Sequence, residues 1–149
     1  MCGLVASLTQ PLDQALRLIR YRGSRQKIME PLGFTRMPIV GFANCYDQPV
    51  YLEGWTIAFV GELLDFRELH PSMECDVELV AQTWVKEGPR GFAKHDGFWS
   101  IVAYNQYDGS LHLLCDYLAI ELANDSSYVL ITWSVGTVSS SVVSNRNGY

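Results

Sequence analysis

Phe98-Trp99-Ser100-Ile101-Val102-Ala103-Tyr104, a turn at Asp108-Gly109, and then Leu111-His112-Leu113-Leu114 place two apolar runs on either side of Asp-Gly. This is the strongest short hairpin signal in the chain, and hairpins build antiparallel sheet. Upstream, Val50-Tyr51-Leu52 and Trp55-Thr56-Ile57-Ala58-Phe59-Val60 flank Gly54 and predict a second hairpin. Gly3-Leu4-Val5-Ala6-Ser7-Leu8 suits a buried first strand, and Met37 to Ala43 reads as another. A turn at Asn124-Asp125-Ser126 leads into a last strand, Tyr128 to Trp133.

Two stretches have helical spacing instead. Leu12, Ala15, Leu16 and Ile19 share one helical face, with Thr9 offered as a cap, Pro11 in the first turn and Gly23 as the stop. Val77, Val80 and Trp84 repeat the pattern, with Asp76 at the start and Gly88-Pro89 as the stop. Two helices among this many strands cannot alternate into a doubly wound sheet. The expected class is α+β, with antiparallel sheets and helices covering outer faces. No repeat or linker interrupts residues 1–138, which read as one domain, and the polar tail 139–149 is expected to fray.

Composition narrows the function. At 149 residues, 48% hydrophobic and 18% charged, the chain can bury a core of its own. A formal charge of −5 without a basic run argues against nucleic acid as a partner. Apolar runs are too short for a membrane span, and nothing reads as a signal peptide, so a cytoplasmic protein with reduced thiols is expected. Cys2, Cys45, Cys75 and Cys115 form no C-x-x-C pair and do not cluster with His70, His95 or His112. No metal site is expected, and Cys45, Cys75 and Cys115 read as packing thiols.

Cys2 stands apart because it follows Met1. Removal of Met1 would leave one residue carrying both a thiol and a free α-amine, with ordinary pKa values of about 8.5 and about 8. That residue would be a nucleophile holding its own base. Amide hydrolysis also needs a grip on the substrate and donors for the oxyanion. Candidates follow in order: Arg22 after the first helix, Arg36 before the expected strand from Met37, Gly61-Glu62 after the second strand of the Gly54 hairpin, and Asp76 at the second helix. Each has a plainer role. Asp76 would cap its helix, Arg36 would sit at a strand entrance, Arg22 would be structural, Asp96-Gly97-Phe98 would serve packing, and His95 would lie on the surface.

Met1-Cys2-Gly3, Arg20-Tyr21-Arg22-Gly23, Arg36-Met37-Pro38-Ile39-Val40, Gln48-Pro49, Gly61-Glu62 with Phe66-Arg67, Cys75-Asp76-Val77-Glu78 and Asp96-Gly97-Phe98-Trp99-Ser100-Ile101 occur in series. In that order and spacing the chain resembles the glutaminase domain of class II glutamine amidotransferases, particularly the N-terminal half of asparagine synthetase. The resemblance implies a four-layer α/β/β/α sandwich of two antiparallel sheets, the N-terminal nucleophile hydrolase fold. It implies that Cys2 attacks the side-chain amide of glutamine and that the backbone N–H of Gly61 stabilises the oxyanion. Arg36 would hold the α-carboxylate, a task suited to a planar two-pronged donor. Asp76, with Glu62 in the substrate-binding set, would face the α-amine. No cofactor is implied, and a synthetase partner would accept the ammonia.

The chain departs from that pattern in places. Val60 stands where the family has an asparagine that donates to the oxyanion, and losing such a donor costs about 10²–10³ in rate. Asn44 is the candidate substitute. Arg22-Gly23-Ser24-Arg25 lacks the family's proline and acid, and Cys115-Asp116-Tyr117-Leu118-Ala119 and Leu122-Ala123-Asn124 also differ. Nothing after Trp133 is expected to form a synthetase domain, and no phosphate-binding glycine loop occurs. The alternatives are therefore a glutaminase-like binding or regulatory subunit with impaired catalysis, and an N-terminal-cysteine amidase acting on another amide. The pairing of Arg36 with Asp76 disfavours the second, because two opposite charges fit an amino acid.

Overall fold

The computed structural model describes residues 2–37, 47–116, 121–125 and 128–132. Strand β1 (Gly3–Ala6) leads into helix α1 (Leu12–Leu18), a 3-10 turn at Arg20–Arg22, and the hairpin of β2 (Arg25–Met29) and β3 (Leu32–Arg36). Then come β4 (Val50–Leu52), β5 (Trp55–Leu63), the short α2 (Phe66–Leu69) and α3 (Asp76–Glu87). A 3-10 segment, Gly88–Lys94, precedes β6 (Gly97–Asn105), β7 (Leu111–Cys115), β8 (Glu121–Asp125) and β9 (Tyr128–Thr132). The strands form two antiparallel sheets, ordered β2-β3-β1-β9-β8 and β4-β5-β6-β7. The chain is mixed α+β.

Apolar side chains gather in three clusters, and strand alternation sorts them. Val5 joins Leu12, Ala15, Leu16 and Ile19 beside α1. Its neighbours Leu4 and Ala6 turn the other way, toward Leu32 and Phe34 of the same sheet and Ala58, Val60 and Val102 of the second sheet. Ile57, Phe59, Ile101 and Ala103 take the opposite face of β5 and β6 and meet Val77, Val80 and Trp84 of α3. Strands buried on both faces need near-continuous apolar runs, which explains β1, residues 57–60 of β5 and residues 101–103 of β6. Trp84 is 3% exposed and meets Trp55 edge-on at 5.6 Å between ring centroids. Burying side chains of this kind contributes about 1.5–3 kcal/mol each.

Both hairpins read from sequence are present. Gly109 has φ 71°, and the Asp108 carboxylate accepts hydrogen bonds from the Ser110 N–H at 2.9 Å and its hydroxyl at 2.6 Å. The second helix starts at Asp76 and ends at Gly88, where φ is 64°. Cys75 is fully buried, as a packing thiol should be.

Several expectations require correction. Thr9 caps nothing: the Ser7 hydroxyl accepts from the N–H groups of Thr9 (3.3 Å) and Gln10 (2.9 Å), and α1 begins after Pro11 without a side-chain cap. The helix proper ends at Leu18, and the 3-10 turn carries the chain to Gly23. Arg36 does not precede a strand but ends β3, and Met37 lies outside any strand. The rest of the expected strand, 38–43, is outside the described residues, as are Asn44, Cys45, Trp133 and the tail 139–149. Gly61 and Glu62 lie inside β5, because that strand runs on to Leu63. Asn124 and Asp125 belong to β8, paired with Val129 and Tyr128 of β9. The β2–β3 hairpin carries no clear sequence signal, because β2 is an exposed edge strand of mostly polar residues, without the apolar run that marks a buried one.

Candidate functional site

Cys2 precedes β1 at its start and is half-buried, packed against the Leu4–Val60 cluster. The antiparallel register sets Gly3 opposite Thr35. Continued by one residue, it brings Cys2 alongside Arg36. Gly23 makes that arrangement possible, since a Cβ there would lie 2.6 Å from the Arg36 backbone nitrogen.

A cavity of about 270 Å³ opens at this point and is lined by Cys2, Arg36, Gly61, Glu62 and Asp76. The residues singled out from sequence thus come from the N-terminus, the end of β3, the far part of β5 and the first turn of α3. Phe34, Phe59, Val60 and Val77 supply apolar wall, and Gln48 and Met37 complete the lining. The volume is slightly below the range of about 300–1,000 Å³ typical of drug-sized ligands, which fits a small metabolite.

Charge is distributed unevenly around this space. The Arg36 side chain is 7% exposed, and its Nη1 lies 3.2 Å from Asp47 Oδ1. Across the cavity, Asp76 is the first residue of α3, following Cys75 in the capping position. Burial pushes the Asp76 carboxyl above its ordinary 3.8, and the negative charge of Glu62 adds to the rise. Hydrogen bonds from the N–H groups of Val77 and Asp76, and the charge of Arg67, pull the other way. Glu62 itself is exposed. One cation faces two carboxylates, an arrangement complementary to a zwitterionic amino acid.

Gly61 lies between these ends with φ 128°. A side chain there would run into the Phe98 carbonyl oxygen and come within 2.6 Å of Trp99 Cα, so only glycine permits this strand approach. The cavity wall at Gly61 is therefore backbone. Val60, beside it, is 4% exposed and brings no hydrogen-bond donor. Among the described residues no group of three His, Cys, Asp or Glu side chains is arranged to hold a metal.

Two residues of the site carried no role in the sequence reading. Gln48 is buried, and its Oε1 accepts the Phe59 N–H at 2.6 Å, which ties the cavity wall to β5. Asp47 supplies the counter-charge to Arg36. The Gln48-Pro49 pair was the only pointer to either. Arg22 is buried as a structural residue should be, and its Nη1 has no hydrogen-bond partner among the described residues.

His95 is a correction. Its side chain is fully buried rather than on the surface, with Nδ1 3.1 Å from Asp65 Oδ2. The pair bridges the chain just after β5 and just before β6, outside the cavity. Its neighbours Lys94 and Asp96 gave no hint of a partner thirty residues earlier. Cys115 is half-buried and accepts a hydrogen bond from the Ser100 hydroxyl at 3.2 Å. Burial pushes its thiol upward, the Ser100 bond opposes this, and Asp116 adds to the rise.

No protein-family model matches this chain, and no curated protein matches it.

Proposed function

We propose that the chain is a glutaminase domain of the class II amidotransferase type, built as a four-layer α/β/β/α sandwich. The reading rests on one observation: Cys2, Arg36, Gly61, Glu62 and Asp76, chosen from sequence, line a single cavity of metabolite size. Arg36 takes the α-carboxylate of glutamine, while Asp76 and Glu62 face its α-ammonium. The side-chain amide then lies toward Cys2. The thiolate attacks the amide carbon, with the α-amine of a processed Cys2 taking the thiol proton and returning it to the leaving nitrogen. The Gly61 N–H stabilises the oxyanion. Ammonia departs as the tetrahedral adduct collapses to a thioester, and water then hydrolyses the thioester, releasing glutamate and restoring the thiol. The ammonia would pass to a separate synthetase subunit in the cytoplasm. Among the described residues no helix is long and apolar enough to cross a membrane.

The test is intact mass before and after exposure to 6-diazo-5-oxo-norleucine, combined with a glutaminase assay. The expected result is loss of Met1, one adduct, its assignment to Cys2 rather than Cys115, and release of ammonia from glutamine. A processed protein with neither adduct nor turnover would overturn the reading.

Val60 favours a second reading, a binding or regulatory subunit with impaired catalysis. It is buried and apolar where the resembled family carries a donor, and it packs in the cluster that Cys2 touches. On that reading glutamine binds without turnover, and Cys2→Ala leaves the biological role intact.

A further inference from the structure

A second cleft, of about 360 Å³, adjoins the cavity and shares Phe34, Arg36 and Gln48 with it. Its outer wall is β2, an edge strand. Arg25 stands directly opposite Arg36 in the β2–β3 register, and Lys27 stands opposite Phe34. Like charges directly opposed across a strand pair are destabilising. Asp47 Oδ1 answers both guanidiniums, at 3.2 Å from Arg36 Nη1 and 3.6 Å from Arg25 Nη1. Lys27, exposed two residues along β2, has no ion-pair partner among the described residues. Three cations thus line one cleft beside a single carboxylate, in a chain whose formal charge is −5. Protection of an edge strand accounts for a lysine. It does not account for a buried arginine set opposite a second one.

Resting on the glutaminase reading, the position of Arg36 between the two spaces fixes what the cleft would receive. If the α-carboxyl end of glutamine points at Arg36, anything bonded to that carboxyl extends into the cleft. One further residue spans about 3.5 Å of chain and carries its own side chain beyond. We propose that the cleft is a subsite for an anionic group attached through the α-carboxyl of glutamine. The substrate class is then peptides whose N-terminal glutamine precedes glutamate or aspartate. Arg36 donates to the α-carbonyl oxygen, Arg25 and Lys27 meet the acidic side chain of the second residue, and the same side-chain amide is hydrolysed to glutamate and ammonia.

The experiment compares kcat/KM for glutamine, Gln-Gly and Gln-Glu. The expected preference for Gln-Glu over Gln-Gly is about tenfold, the scale of a charge-assisted contact at a half-exposed site. Lys27→Gln should bring that ratio close to one, Lys27→Arg should restore it, and turnover of free glutamine should stay unchanged in both. Equal rates for the two dipeptides, in protein that hydrolyses glutamine, would overturn the subsite. So would stimulation of glutamine turnover by added free glutamate or inorganic phosphate to the level of Gln-Glu, which would mean an untethered anion site. If glutamine itself is not hydrolysed, calorimetry on Cys2→Ala protein separates the two ideas. Tighter binding of Gln-Glu than of Gln-Gly then supports the subsite without the chemistry, and equal affinities overturn it.

Discussion

The two ends of the cavity handle charge in opposite ways. At the β3 end, Arg36 is buried and held by Asp47, with Arg25 sharing the same carboxylate oxygen. A guanidinium stays charged at any accessible pH, so this end is a fixed positive wall. At the α3 end, Asp76 is half-buried beside Glu62, and its carboxyl holds a proton more tightly than a free aspartic acid does. One end is an anchor and the other titrates. The difference follows from the surroundings of each group: a counter-ion for Arg36, and for Asp76 burial first, with the like charge of Glu62 adding to it.

The largest effect should come from breaking the fixed end. Arg36→Met removes the buried cation while keeping much of its packing, and kcat/KM for glutamine should fall by about 10²–10³, or roughly 3–4 kcal/mol. Thermal stability should change less, because the Asp47 carboxylate left behind is 34% exposed and keeps Arg25 at 3.6 Å, so no buried charge is stranded. A collapse of stability equal to the loss of activity would instead make Arg36 a purely structural residue.

Gly61→Ala attacks the middle of the cavity. The positive φ and the encounter with the Phe98 carbonyl should cost about 2–4 kcal/mol in stability. Residual activity measured below the new melting temperature should also fall, because the backbone at Gly61 has to shift. Urea denaturation with parallel kinetics would separate the two losses.

Val60→Asn tests the donor that position 60 lacks. If the side chain reaches the oxyanion, kcat should rise by about tenfold or more, with KM little changed. The cost is a polar group in the cluster with Leu4 and Val102, expected as about 1–2 kcal/mol of lost stability. An unchanged kcat would mean that no oxyanion forms against this position.

The titrating end gives the smallest and most specific effect. Because the native carboxyl of Asp76 sits above its ordinary 3.8, acid protonates it earlier than a free aspartic acid. Glutamine affinity should therefore weaken on acidification from a bend above pH 3.8, and Asp76→Asn should flatten that bend. Glu62→Gln removes the like charge and should move the bend toward acid. Stability runs with the opposite sign. The folded state holds this proton more tightly than the unfolded chain, so the contribution of Asp76 is greatest below pH 3.8 and declines as pH rises to the native value. Comparing denaturation midpoints of wild type and Asp76→Asn across that window checks the sign.

Legibility differed sharply between elements. The hairpin around Asp108-Gly109 and helix α3 were readable because period-two and helical patterns, turn residues and stops are all local. The β2–β3 hairpin was not, since Arg25–Met29 is an exposed edge strand and carries the composition of a loop. Gly61 was legible as a site candidate, but its place inside β5 needed the pairing with Trp99 of β6.

By itself, then, the amino-acid sequence determined the α+β class, the antiparallel hairpins, and which residue types offer a thiol, a cation, a backbone donor and two carboxylates. Only the tertiary structure decided that these share one cavity, that Asp47 neutralises Arg36, that Lys27 and Arg25 extend a positive wall beside it, and that His95 is buried against Asp65. The reason is physical. Backbone conformation responds to near neighbours along the chain, while the environment of a charge is set by burial and by partners that folding brings from far away.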